Sequence, residues 1–175
     1  MTHQSLPVLD PAGYERTIQT RDYATILAAF VGQILAFRGA MNAERTLVLT
    51  QVMMPDFYTG VFTAIDACIL DRLMLPAEPS LPLDGSTLMH YYMTQWPGTD
   101  ARDVLCGVCN ALYRVIGVSL QGYLDLYSRL SPDADLAPFA ALRGVLADVI
   151  QVFTSTQCFI QNKPGYIEGP YPDAC

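Results

Sequence analysis

Charge is what this chain has least of. Only 15% of its 175 residues are Asp, Glu, Lys or Arg, against 51% apolar, and the net charge is −7. A single lysine, Lys163, joins nine arginines scattered one at a time. Grip on a phosphate backbone needs several clustered cations that release counterions, so direct nucleic-acid binding is excluded on this pattern. An anionic membrane surface is disfavoured for the same reason.

Histidine is nearly as scarce, with only His3 and His90 present. The four glutamates, Glu15, Glu44, Glu78 and Glu168, fall near expected helix ends or loops, and no Glu-x-x-His occurs, which excludes a di-iron carboxylate centre. Gly-x-Ser-x-Gly, a phosphate-binding glycine loop and an EF-hand loop are all missing. No cofactor or metal is expected, and an enzyme is the lesser expectation.

Long uninterrupted apolar runs are missing as well. The best, Tyr23–Phe37 and Val149–Asn162, are broken by glutamine and fall short of the ~18–20 residues of a membrane span, so both read as buried helices. No transmembrane segment is therefore expected. Met1–Leu9 lacks the basic start and apolar core of a secretory signal, which makes the expected location cytoplasmic or within a virion-type particle. Five cysteines, an odd number at irregular spacing, read as free thiols in a reducing compartment.

What is present is helical periodicity. Over Arg21–Met41, Tyr23, Ile26, Leu27, Phe30, Val31, Ile34 and Met41 form one broad face, with Thr20 as the expected N-cap. Ala24, Ala28, Gly32, Ala36 and Ala40 stand four apart on another. Side chains this small let a second backbone approach closely, although alanine is also simply the best helix former. Thr46–Met54 reads as a separate short helix ended by Pro55. Tyr58, Val61, Phe62, Ile65, Ile69 and Leu73 mark the next one, stopped by Pro76, and Asp66 reads as part of its wet face. A Pro-rich loop precedes a short helix over Ser86–Trp96. Ala101–Leu130 then carries Leu105, Val108, Leu112, Ile116, Leu120, Tyr123, Tyr127 and Leu130 as its core stripe. Ser131-Pro132-Asp133 and Asp135 signal a last helix, Leu136–Ile160, with Phe139, Leu142, Leu146, Val149 and Phe153 on its apolar face.

The expected fold is all-α: a compact bundle of five to six helices with extended arms. Residues 1–20 form the N-terminal arm, 21–162 one helical domain and 163–175 a Pro- and Tyr-rich tail. The reading that follows is a non-catalytic assembly subunit, self-associating or joining a larger complex. Its protein interface would be Ala24, Ala28, Gly32, Ala36 and Ala40 together with Tyr166, Ile167 and Tyr171. The alternative is a small helical protein holding an apolar ligand or cofactor near His90, Tyr91, Tyr92 and Trp96, with a cavity of about 300 Å³ or more as its signature. The lesser reading is a thiol or metal enzyme at Cys106-x-x-Cys109, whose sulfurs share one helix face, although the pair lies inside a helix rather than at its start and no second closely spaced ligand pair accompanies it.

Overall fold

The computed structural model describes residues 9–73 and 84–161, and among them the protein is all-helical, with no strand. The elements are α1 (Pro11–Ile18), α2 (Tyr23–Leu49), α3 (Pro55–Leu73), α4 (Gly85–Gln95), α5 (Ala101–Ser128) and α6 (Ala137–Gln161). Aspartate starts most of them. Asp10, Asp22, Asp84 and Asp100 each cap a helix by accepting a backbone N–H, and Asp135 accepts from Ala137 N at 3.1 Å. A carboxylate there also meets the positive end of the helix dipole.

The four long helices pack as a ring, with α2 against α6 and α3, and α5 against α3 and α6. Short connections, 50–54 and 129–136, make α2 and α3, and α5 and α6, antiparallel pairs. The ring is clamped at one end, where Val52 pairs with Leu130, Met53 N donates to Arg129 O at 3.0 Å and Ser131 N to Gln51 O at 2.7 Å. α1 and α4 lie against α2 toward the other end, so α2 touches every other helix. That explains why Ile26 through Ile34 are buried without interruption, and why α2 is apolar nearly all round.

Several boundaries differ from expectation. α2 runs unbroken to Leu49, absorbing the first four residues of the segment read as a separate helix, and its cap is Asp22 rather than Thr20. The N-terminal arm is not wholly extended: Asp10-Pro11, an N-cap followed by proline at the first helical position, opens α1. Tyr14 of α1 is buried, and its hydroxyl bonds that of Thr156 on α6. Burial raises the Tyr14 phenol above the ordinary tyrosine range, while the Thr156 bond acts in the opposite sense.

The core stripe of α5 departs from expectation halfway along. Leu105, Val108, Leu112 and Tyr123 are buried as expected, but the track runs through Val115, Ser119, Gly122 and Leu126, leaving Leu120 and Tyr127 exposed. Spacing of three and four in strict alternation averages 3.5 residues per turn, the repeat that keeps a helix facing its ring neighbours over a long contact. Gly122 marks the tight crossing with α3. A Cβ there would meet Ile65 Cδ1 at 3.1 Å and Val61 Cγ1 at 3.3 Å.

Candidate functional site: a charged seam and the outward faces of the long helices

One charged seam crosses the otherwise apolar ring, where α2 meets α3 near mid-length. Arg38 Nε donates to Asp66 Oδ1 at 2.5 Å and its Nη2 to Oδ2 at 3.1 Å, a two-pronged fit between planar groups. Asn42 Nδ2 adds a third bond to Asp66 Oδ1 at 3.0 Å. Two turns along α2, Arg45 Nη2 reaches Thr59 O and Thr63 Oγ1. Asp66 is thus a paired carboxylate rather than a marker of a wet face. The sequence showed the charges on two separate helices, and only antiparallel packing brings them together.

The residues singled out in the sequence separate into distinct environments. Ala28 and Gly32 are buried, and close approach on that face of α2 takes place within the chain: Gly85 of α4 sits against the Ala24 carbonyl and Ala28. Ala36 and Ala40 are half-buried. Tyr166, Ile167 and Tyr171 lie outside the described residues.

On α4, His90 is exposed while Tyr92 is buried, so the four aromatic and imidazole side chains do not share one pocket. Tyr92 donates its hydroxyl to Leu73 O at 2.6 Å, and its ring stacks on Trp96 at 5.1 Å. Trp96 in turn covers Gly107 of α5. Burial, with Tyr91 alongside, raises the Tyr92 phenol above its ordinary range. These rings fill space against the body of the protein.

Cys109 is a buried free thiol, but Cys106 is disulfide-bonded, which corrects the expectation of five free thiols; the Cys-x-x-Cys neither closes on itself nor presents two thiolates. Among the described residues no group of three or more His, Cys, Asp or Glu is placed to hold a metal ion. One cavity lies on the ring axis between Phe37, Phe62, Ser119, Tyr123 and Leu142. At about 10 Å³ it is water-sized, and it is not the ligand cavity expected beside His90.

The main correction concerns the membrane. α2, α5 and α6, of 27, 28 and 25 residues, are each long and apolar enough to cross a bilayer, which overturns the expectation of no transmembrane segment. With it falls the cytoplasmic or virion-type location, since three such helices point to a membrane protein. Treating Gln33 and Gln151 as interruptions caused the error. An amide interrupts a run of apolar letters at far lower cost than a charge does, and charges are what these stretches lack.

The outward faces fit that correction. Along α5, Tyr113, Val118, Leu120, Leu124 and Tyr127 are all exposed, with Arg114, Gln121 and Asp125 as the exposed polar positions among them. Along α6 the exposed positions include Ala140, Ala141, Gly144, Ala147, Gln151 and Thr154, with Arg143 the single charge among them. Comparison of the chain with protein-family models, curated proteins and solved structures finds no match.

Proposed function

We propose that the protein is a non-catalytic helical subunit that resides in a membrane, a bundle whose long helices lie in the bilayer and whose outer faces meet lipid or neighbouring subunits. The observation that carries this reading is the outward apolar face of α5 on a helix long enough to span. In water, large side chains exposed along one helix would form a patch that soluble monomers rarely keep. In a bilayer the same face needs no cover.

The Arg38–Asp66 pair is compatible with that setting. Ions inside a membrane protein are held in pairs and turned toward protein, because an unpaired charge in hydrocarbon is costly. Both side chains are only about a quarter exposed, and each satisfies the other. Among the described residues no group of three or more metal-ligating side chains comes together, and the apolar outward faces support the assembly role.

The test is extraction. The expressed protein should pellet with membranes, withstand alkaline carbonate and dissolve only in detergent, where crosslinking should trap a defined oligomer. Recovery in the carbonate supernatant as a monomer would refute the proposal.

A further inference from the structure

The clamped end of the ring carries an unusual concentration of exposed apolar side chains. Leu47 comes from α2, Met53 and Met54 from the connecting turn, Phe57 from α3, Leu124 and Tyr127 from α5, and Leu136 from the approach to α6. Their exposures run from 51% to 63%, and every long helix or its flank contributes. A protein partner would cover one side of the body. A collar drawn from all sides suits a planar boundary instead.

Two further features show that this end is rigidly presented. Met54 has φ +72°, a left-handed conformation that an unbranched residue other than glycine adopts at a cost of ~1–2 kcal/mol. The turn is nevertheless fixed, since Gln51 Oε1 accepts from Asp135 N at 2.8 Å in addition to the main-chain bonds across to Arg129 and Ser131. Strain maintained by this much bracing holds two methionines out into the surroundings. Charged residues are interspersed: Asp56, Asp125, Asp133 and Asp135 stand near Arg129 and Arg143 at the same end. Apolar and aromatic side chains mixed with charges are what the headgroup boundary of a bilayer selects.

We infer that this collar is an interfacial anchor, seating the clamped end where hydrocarbon meets the headgroups of a bilayer without net charge. The inference rests on the bilayer reading above and adds the depth and orientation of the body. It also accounts for the position of the collar, which falls where α2 and α5 end and α6 begins, the level at which three spans would leave the hydrocarbon together.

Depth-resolved fluorescence tests it. The protein has one tryptophan, Trp96, at the opposite end. In a Trp96→Tyr background, Phe57→Trp and Leu136→Trp place single reporters on two sides of the collar, both at exposed positions that tolerate the change. Each protein is reconstituted in phosphatidylcholine bilayers carrying bromine either near the headgroup or deep in the chains, with iodide as the aqueous quencher. The expected result is stronger quenching by shallow than by deep bromine for both reporters, with little effect of iodide. Quenching by iodide alone, strongest quenching by the deep bromine, or lipid quenching of only one reporter would each overturn the anchor. Carbonate extraction of the same proteins reports separately on membrane residence, so the two failures are distinguishable.

Discussion

Replacing Gly85 with alanine should destabilise the protein, and the geometry of one contact sets the size of the loss. Gly85 is the first residue of α4, where it rests on the small-residue face of α2. A Cβ there would stand 2.7 Å from the Ala24 carbonyl oxygen, 3.1 Å from its carbon and 3.5 Å from Ala28 Cβ. The oxygen belongs to the backbone of the central helix, so it cannot swing aside as the tip of a side chain would, and α4 must move off by several tenths of an ångström. Overpacking of this kind costs about 1–3 kcal/mol. Alanine returns ~0.4–1 kcal/mol by restricting the unfolded chain. The net loss of roughly 1–2 kcal/mol corresponds to a Tm lower by about 2–8 °C for a chain of this size.

The control is Gly144→Ala on the outer face of α6, where an added Cβ meets nothing within 4 Å. Without a clash only the helix preference of alanine remains, worth about 0.5–1 kcal/mol in favour of folding. One substitution type should therefore give opposite signs at the two sites. Thermal unfolding in a single mild detergent, followed by circular dichroism, reads both. A Tm for Gly85→Ala raised as much as that of Gly144→Ala would mean that α4 is not seated on Ala24, and the reasoning would fail.

Two further outcomes are expected. Asp66→Asn keeps the shape of the seam but leaves Arg38 without its charge partner, and a double-mutant cycle with Arg38→Met should give a coupling above the ~0.2–1 kcal/mol of exposed ion pairs if this level lies inside a bilayer; a coupling near zero in vesicles would argue that the seam faces water. Asp84 is held below the usual carboxylate range by hydrogen bonds from the Thr87 N–H and hydroxyl, so its contribution to α4 is complete above the unfolded-state pKa and disappears as pH falls through the lower folded value; urea midpoints of wild type and Asp84→Asn should converge on acidification, and a constant difference across that range would refute it.

Much of the helical arrangement was legible because periodicity reports burial directly. The apolar positions read for α3 and α6, among them Phe62, Ile69, Phe139 and Leu146, are buried, with Val61 half-buried. What failed had physical reasons. On α5 the expected stripe and the observed buried set share Leu105, Val108, Leu112 and Tyr123, and a drift of one residue at Val115 turns Leu120 and Tyr127 outward. A difference of a few hundredths in residues per turn matters only over a helix this long. α1 was signalled by Asp10-Pro11, yet eight residues are too few for a periodic pattern to stand out. The Arg38–Asp66 pair was out of reach, because no local pattern records which face of α2 meets which face of α3. The exposed collar was equally invisible, since sequence spacing does not say which apolar residues are left uncovered.

The position of α2 imposes an order on biosynthesis. This helix is made before α6, one of its principal packing partners, and before α5. Until α5 and α6 emerge, α2 presents to its surroundings the apolar flank that they later cover. That flank must be sheltered from outside until Phe139, Leu146 and Val149 emerge, and lipid entered early would shelter it without competing for the final contacts. Loss of α6 would thus strand α2, so a truncation that removes α6 should be felt most strongly at α2.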